Sequence, residues 1–237
     1  MVKKILDPHC LCCQETFLTY FSILSPVDLQ SVQNMKVVEL YKKGALIFQE
    51  GTKPNGIYCI NSGNIKIYKH GSDGREHITR LAFSGEFVGL KALLTGNLYS
   101  VSAQALEDSV ICFISKNDFF ELTIRYTEFT KAIVSVLSKQ LVDAEEKMVS
   151  LAQKPVKERL ADSLLFLYQQ FSSHQKDRIS AYLNLTRQDL ANIVGTSPET
   201  VIRLLTDWKE SNIIAIKGRK IFILDELKLR KIACHLS

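Results

Sequence analysis

The sequence has no run of 18 apolar residues, so no segment is expected to cross a bilayer as a helix. Its first residues include two lysines but no apolar stretch of secretory length, and we therefore expect no signal peptide. Both absences predict a cytoplasmic protein. The six cysteines are then expected to be thiols or metal ligands and not structural disulfides.

Proline and glycine are scarce and unevenly placed. The chain of 237 residues has five prolines and 11 glycines, and no glycine occurs in the 80 residues that follow Ile114. With 46% apolar and 23% charged residues, the composition is that of a globular protein and excludes a disordered or collagen-like chain. The length allows two domains, each with its own core.

The positive net charge is confined to one end of the chain. Residues 1–152 hold 16 basic and 16 acidic residues, whereas residues 153–237 hold 14 basic and 9 acidic residues and carry the whole net charge of +5. This asymmetry indicates a polyanionic partner for the C-terminal part, although basic faces are often merely solvated.

Nine of the 11 glycines lie between Gly44 and Gly96, in turn-like clusters. Segments rich in β-branched and aromatic residues separate the clusters and predict strands. They span residues 45–48, 57–60, 65–69, 77–81, 100–105 and 109–114. Short strands at this spacing predict a jelly roll, and Asn55-Gly56 and Asp73-Gly74 are predicted to be hairpin turns.

One long helix is predicted from residue 117 to residue 154. Its apolar residues alternate in spacing between three and four, which is the a/d pattern of a coiled coil. These residues are Val134, Leu137, Leu141, Ala144, Met148 and Leu151. The narrow stripe favours a parallel dimer contact over a helix that packs on its own domain.

Pro155 is predicted to end the long helix and to begin an amphipathic helix over residues 156–171, because proline suits a first helical turn. The predicted fold is of the α+β class and has four parts. They are a cysteine-containing tail (1–19), an effector-sensing jelly roll (20–116), a dimerisation helix (117–153) and a DNA-binding domain (154–237).

Two short helices joined by Gly195 are predicted within the basic domain. The first spans residues 187–194, and Thr196 or Ser197 can cap the second. Such a helix-turn-helix places the N-terminus of its second helix in the major groove of DNA. Residues 213–216 and 221–224 then predict a β-hairpin, or wing, whose basic tip would contact phosphate. The predicted DNA contacts are Thr186, Arg187, Gln188, Ser197, Glu199, Thr200, Arg203, Lys217 and Arg219.

Several segments together resemble a known family. They are Gly85–Gly89 (GEFVG), Gln104–Glu107 (QALE), Leu185–Ala191 (LTRQDLA), Pro198–Leu205 (PETVIRLL) and the wing tip Lys217–Arg219. From about residue 20 onward, the chain resembles the regulators grouped around the cyclic-AMP receptor protein and the fumarate-and-nitrate-reduction regulator, the CRP/FNR family. It is nearer to the oxygen-sensing branch than to the cyclic-AMP branch.

The resemblance implies a homodimer that binds a palindromic operator on double-stranded DNA and acts with RNA polymerase. Glu199 and Arg203 fall on the family's base-reading positions, which usually read a TTGA-like half-site. Arginine suits guanine O6 and N7, and glutamate can accept from cytosine N4. Pro198 and Ile202 occupy positions that vary between branches and leave the full half-site open.

The implied effector pocket departs from the cyclic-nucleotide branch. That branch uses an acidic residue for the ribose and an arginine for the cyclic phosphate, whereas Leu90 and Tyr99 occupy the aligned positions here. Burial of a phosphate without a cation is prohibitive, so cyclic AMP is not expected to bind. The predicted pocket residues are Glu86, Leu90, Tyr99 and Ser100, and their ligand is expected to be neutral or apolar.

The cysteines indicate a different kind of signal. Cys112 matches the strand cysteine of the oxygen-sensing branch, in which four thiolates hold a [4Fe–4S] cluster. Cys10, Cys12 and Cys13 offer three more thiols, but at a closer spacing than in that branch. An iron–sulfur cluster, another thiolate-bound metal, or a structural role for Cys112 as a small buried side chain all remain open.

Two other functions compete with DNA-binding regulation. A jelly roll can be a cupin-like enzyme, but its metal triad needs more than His70 and His77, the only histidines between residues 37 and 114. A cyclic-nucleotide module without a transcriptional role has no use for a helix-turn-helix and wing. The sequence thus predicts a non-enzymatic, dimeric, sequence-specific transcription regulator controlled by a small molecule or by redox state.

Overall fold

The computed structural model describes residues 25–72, 74–173 and 182–234, with only the backbone described at 26–29 and 171–173. The chain divides into two compact units, residues 1–74 with 79–141, and residues 75–78 with 142–237. The predicted part boundaries at residues 19, 116 and 153 stay predictions. No helix within the described residues is long and apolar enough to cross a membrane.

The first unit consists mainly of short strands. Its elements are α1 (Pro26–Met35), β1 (Lys36–Tyr41), β2 (Leu46–Phe48), β3 (Gly56–Ser62), β4 (Ile65–His70), β5 (Glu76–Ala82), β6 (Phe87–Val88), α2 (Leu90–Thr95), β7 (Ser102–Ala105), β8 (Ser109–Ser115), α3 (Lys116–Arg125) and α4 (Thr127–Gln153). Helix α4 continues into the second unit after Leu141.

The strands form two four-stranded sheets, in the orders β1-β8-β3-β6 and β2-β7-β4-β5. Ile60 of the first sheet and Ile65 of the second belong to one apolar cluster, which we call the inter-sheet cluster. This arrangement confirms the predicted jelly roll. The alternation of side chains along a strand sends the intervening residues of the first sheet to its other face.

That other face forms a second apolar cluster, which we call the helix-side cluster. It joins Cys59 of β3 and Cys112 of β8 to side chains of the surrounding helices. The helical contributions are Val32 of α1, Leu90 and Leu93 of α2, Phe119 and Leu122 of α3, and Phe129 and Ile133 of α4. The first half of the long helix is therefore packed on the sheet that carries both cysteines.

The prediction of a hairpin turn at Asn55-Gly56 is wrong. Strand β2 pairs with β7 and β3 pairs with β8, so β2 and β3 lie in different sheets and do not form a hairpin. Glycine is needed at position 56 for a different reason. A Cβ atom there would clash with the carbonyl oxygen of Ile114 on the paired strand.

The prediction of one unbroken helix from residue 117 is also wrong. The chain leaves the helical conformation at Tyr126 (φ −122°, ψ 97°) between α3 and α4. The ring centroids of Phe119 and Phe129 are 6.0 Å apart and both rings are fully buried. A continuous helix would separate these residues by about 15 Å along its axis. The break allows both rings to enter the same cluster.

The second unit contains helices and a small sheet. Its further elements are α5 (Val156–Ser173), β9 (Leu183–Asn184), α6 (Arg187–Val194), α7 (Pro198–Glu210), β10 (Ile214–Lys217), β11 (Lys220–Ile223) and α8 (Glu226–Ala233). The sheet has the order β10-β11-β9. Leu160, Leu164 and Leu167 of α5 are buried, as its amphipathic pattern predicts.

Candidate nucleic-acid interface

Helix α6 is fixed at both ends. Thr186 Oγ1 accepts a hydrogen bond from the Asp189 N–H at 3.0 Å, and the Asp189 carboxylate accepts from the Thr186 N–H at 3.3 Å. This capping box satisfies two backbone donors at the start of the helix. Gly195 ends α6 in the left-handed conformation (φ 72°, ψ 54°), which glycine adopts without strain.

Helix α7 begins three residues after that glycine. Ser197 is its cap and accepts a hydrogen bond from the Thr200 N–H at 3.4 Å, while Pro198 occupies the first turn. One face of α7 is buried, and the other is exposed. The buried side chains are Val201, Leu204, Leu205 and Trp208, and the exposed ones include Glu199, Ile202, Arg203 and Thr206.

The exposed face of α7 presents a negative and a positive side chain one turn apart. Hydrogen bonds from the backbone N–H of Glu199 and from the Ser197 hydroxyl hold the pKa of the Glu199 carboxyl below its usual range. Glu199 is therefore a carboxylate at neutral pH and can only accept hydrogen bonds. Arg203 carries a permanent charge and can only donate. The pair offers opposite hydrogen-bonding chemistry to a groove.

Some predicted DNA contacts also hold the motif together. The Thr186 hydroxyl donates to the Asp189 carboxylate at 2.6 Å, in addition to its capping role. The Gln188 amide donates to Asn192 Oδ1 at 2.8 Å. Arg187 is half-buried, and burial lowers the pKa of its guanidinium. These side chains lie at the start of α6, where their backbone and side-chain donors can face phosphate.

The wing is the hairpin formed by β10 and β11. Lys217 pairs with Lys220 in the ladder, and Gly218 turns the chain with φ 61°. Lys217 and Arg219 are exposed, and their contact with phosphate stays a prediction. The wing therefore presents cations at its tip.

Lys220 belongs to the same basic tip but was not among the predicted contacts. Its Nζ atom lies 4.0 Å from the ring centroid of Tyr182, and Lys217 Nζ lies 5.8 Å from that of Phe222. The two rings are neighbours, with centroids 5.7 Å apart. A cation held over an aromatic face loses less freedom when it binds phosphate. The basic turn Lys217–Lys220 is the feature of the sequence that could have predicted a phosphate contact by Lys220.

The predicted dimer stripe runs along α4. Leu141 and Met148 are each 61% exposed and Val134 is 57% exposed within the chain. Ala144 and Leu151 are exposed as well, whereas Leu137 is half-buried against the helix-side cluster. Large apolar side chains that are exposed along one face of a helix are typical of a contact with another protein.

Comparison with known proteins decides the family. Residues 38–126 match the family described as a cyclic nucleotide-binding domain, and residues 158–232 match the Crp-like helix-turn-helix domain. The fumarate and nitrate reduction regulatory protein of Vibrio cholerae is 31% identical over 228 residues, which cover 95% of this chain and 90% of that protein. The chain belongs to the CRP/FNR family of transcription regulators.

Two further relatives agree with this assignment. The transcriptional activator protein Anr of Pseudomonas protegens is 29% identical over 226 residues, or 95% of this chain and 92% of that protein. The solved structure of FixK2 from Bradyrhizobium japonicum shares the fold with a TM-score of 0.74 at 23% identity, over 83% of this chain and 96% of that chain. The prediction of a DNA-binding transcription regulator is confirmed.

Membership of the CRP/FNR family removes the two competing functions. Regulators of this family are not enzymes, so the cupin-like alternative is dropped. The match to a Crp-like helix-turn-helix domain likewise excludes a cyclic-nucleotide module without a transcriptional role. Regulators of this family bind DNA and act as dimers.

The family name raises the question of a cyclic nucleotide in the jelly roll. Leu90 is buried in the helix-side cluster, and Tyr99 is buried in the inter-sheet cluster, where its ring stacks on Phe48 at 4.0 Å. Glu86 pairs with Arg80, and Ser100 is exposed. The predicted pocket residues therefore offer no cation to a cyclic phosphate and no carboxylate at position 90. They do not fit a cyclic nucleotide.

Tyr99 is the one polar group of the predicted pocket that is deeply buried. Burial raises the pKa of its phenol, and its hydroxyl makes no hydrogen bond within the described residues. A Cβ atom at Gly89 would lie 3.3 Å from the Tyr99 ring, so the backbone packs closely against it. Leu90 and Tyr99 belong to different apolar clusters, and the predicted pocket stays a prediction.

The predicted metal site lies largely outside the described residues. Cys10, Cys12 and Cys13 precede residue 25, and Cys112 is a buried thiol in β8. Within the described residues, no group of three or more His, Cys, Asp or Glu side chains could hold a metal ion. The thiolate site stays a prediction.

Proposed function

We propose that this regulator binds a palindromic operator as a dimer, with α7 of each protomer in the major groove of one half-site. The observation that carries the proposal is the division of α7 into a buried apolar face and an exposed face with Glu199 and Arg203 near its N-terminus. An α-helix fits the major groove, where base pairs are distinguishable by their donors and acceptors.

Glu199 and Arg203 would select the base pairs. Arg203 can donate to guanine O6 and N7, and the Glu199 carboxylate can accept from cytosine N4. A TTGA-like half-site contains a guanine on one strand and the corresponding cytosine on the other. Ile202, which is exposed between them, can contact a thymine methyl group.

The remaining predicted contacts would position the domain on the backbone of the duplex. They are Thr186, Arg187, Gln188, Ser197 and Thr200 at the two helix starts, and Lys217 and Arg219 at the wing, to which the structure adds Lys220. Contacts to phosphate set register and orientation and carry no sequence information directly.

The apolar stripe of α4 would join the two protomers, so that each subunit presents one recognition helix. Two-fold symmetry of the protein then requires two-fold symmetry of the operator. We further propose RNA polymerase as a partner, because relatives are named transcriptional activators. The cytoplasm, where bacterial DNA and RNA polymerase are found, is the proposed location.

Selection of bound duplexes from a random pool, at one fixed salt concentration, tests the operator. We expect enrichment of a palindrome with TTGA-like half-sites whose centres are about 34–36 Å apart, or one helical turn. Enrichment of an asymmetric sequence, or of none, would contradict the proposal. The comparison at fixed salt matters because phosphate contacts alone give salt-dependent binding to any duplex.

Cyclic AMP is expected not to bind the jelly roll with micromolar affinity. Neither Leu90 nor Tyr99 can neutralise the cyclic phosphate, and Glu86 is already paired with Arg80. Isothermal calorimetry with the purified dimer measures this directly. Tight binding with one nucleotide per subunit would show that another residue supplies the missing cation.

A further inference from the structure

Cys59, which the predicted metal site does not include, lies opposite Cys112, which that site does include. They face each other directly in the antiparallel ladder between β3 and β8, which are the two central strands of their sheet. Each is only 3% exposed, and both belong to the helix-side cluster. Opposite residues of a ladder project from the same face of the sheet, so the two thiols lie side by side.

The hydrogen bonds around the pair define its geometry. Ile60 donates its N–H to Glu86 and accepts at its carbonyl from Gly85, so its polar backbone groups point towards β6. The neighbouring Cys59 must then direct its own groups towards β8, because backbone groups alternate along a strand. The Lys116 N–H donates to the Asn55 carbonyl. Asn55 precedes Cys59 by four residues in the chain, so the same alternation directs the backbone groups of both residues towards β8.

Cys59 and Cys112 are therefore a hydrogen-bonded pair of the ladder, with Cα atoms about 5.5 Å apart. Disulfides span Cα separations of about 4.4–6.8 Å, so the backbone already has a suitable spacing. A bridge between directly opposed residues of a hydrogen-bonded pair must pull their Cβ atoms together. Strained bridges of this kind are more easily reduced than structural disulfides.

We propose that Cys59 and Cys112 are a redox-modification site, at which a peroxide converts the two thiols into a cross-strand disulfide. One thiolate attacks a peroxide oxygen, the O–O bond breaks, and a sulfenic acid and one water are formed from hydrogen peroxide. The second thiol displaces the sulfenic oxygen as another water and forms the S–S bond. Two thiols are oxidised by two electrons, and hydrogen peroxide is reduced to two water molecules.

Burial sets the rate of this oxidation. Burial restricts the access of peroxide to both thiols, so the pair reacts only when the sheet opens locally. Cys234 is exposed and is expected to react with peroxide or alkylating reagents much faster. Once formed, the disulfide would be protected from large reductants and would return to thiols with a small dithiol.

The bond would alter the packing beneath the long helix. Phe129 and Ile133 of α4 share the helix-side cluster with both cysteines, and drawing the sulfurs together changes the surface that these side chains contact. An effect on DNA affinity would follow from the proposed function, whereas formation of the bond itself does not depend on it.

Intact-mass measurement on a variant without the other cysteines tests whether Cys59 and Cys112 form the disulfide. In a full-length variant with Cys10→Ser, Cys12→Ser, Cys13→Ser and Cys234→Ser, only Cys59 and Cys112 remain. After peroxide treatment, denaturation and alkylation, we expect a mass lower by two hydrogen atoms and no alkyl groups added. Reduction before alkylation should restore two. The matched control adds Cys59→Ala, and because it has a single thiol its mass should not fall by two hydrogen atoms after the same treatment.

Two results would overturn the proposal. One is complete alkylation of both thiols after prolonged exposure to peroxide, under conditions that oxidise Cys234 of the natural sequence. The other, from peptide mapping of the natural sequence, is a disulfide or a shared metal between Cys112 and the Cys10–Cys13 segment while Cys59 stays a thiol. Because neither measurement uses DNA, failure here leaves the proposed function untouched, and failure to bind DNA leaves the disulfide testable.

Discussion

Arg203→Ala is expected to weaken binding to the selected operator by about 1–3 kcal/mol and to remove the preference for guanine at one position of each half-site. The side chain is exposed on α7 and packs into no core, so the fold should not change. Fluorescence anisotropy on the operator and on duplexes with each base at that position measures both effects. Lys209→Ala, near the other end of α7, is the matched control and should leave the preference intact.

Variants of the wing provide the opposite pattern. Lys217→Ala or Arg219→Ala should weaken binding to all duplexes alike and lower the slope of affinity against salt by about one, since each removes a phosphate contact. If Arg203→Ala showed this uniform loss, Arg203 would be a phosphate contact and α7 would not read bases through it.

Leu141→Glu is expected to separate the subunits and to abolish operator binding. Leu141 lies in the middle of the apolar stripe of α4 and is 61% exposed within the chain, so the introduced carboxylate costs little in a monomer. In a dimer seam it would be buried against apolar side chains without a partner. Sedimentation velocity should show monomers, and a monomer can read only one half-site.

Lys139→Glu introduces the same side chain on the same helix but away from the stripe, at an exposed position. It should leave the dimer and its DNA affinity largely unchanged. A Leu141→Glu protein that sediments as a dimer would remove this stripe as the subunit contact, even if its DNA binding were lost.

Local patterns in the sequence were enough to predict most of the elements. Residues 57–60, 65–69 and 109–114 lie within β3, β4 and β8, because β-branched residues between glycine-rich turns favour extended chain in any context. The caps of α6 and α7 were equally accessible, since Ser197 and Gly195 act on their own neighbours. The short elements β6 and α2 were not predicted, because they contain too few residues to show a period.

Non-local packing explains the errors. The break at Tyr126 depends on Phe119 and Phe129 entering one cluster, and the pairing of β2 with β7 joins segments far apart in sequence. Neither leaves a trace in the local pattern. The stacking of Lys220 on Tyr182 is similar, since β9 must pair with β11 before the two side chains can meet.

In the candidate sites too, the sequence could predict placements that depend on one element but not those that depend on non-local packing. The exposed placement of Glu199 and Arg203 could be predicted, because one helix fixes both its buried face and its exposed face. The placement of Leu90 and Tyr99 could not, because they are nine positions apart and their position in two clusters depends on how the sheet and helices close around them. The opposition of Cys59 and Cys112 likewise required the strand register.

The proposed subunit contact on α4 would also make the transcriptional response depend on the amount of the protein in the cell. With the apolar stripe as the subunit contact, dimer concentration rises with the square of the monomer concentration below the dissociation constant of the dimer. Operator occupancy then becomes steeper than a simple hyperbola, and a modest change in synthesis or proteolysis of the chain shifts transcription without any ligand. Abundance itself would act as an input, alongside whichever chemical signal the jelly roll senses.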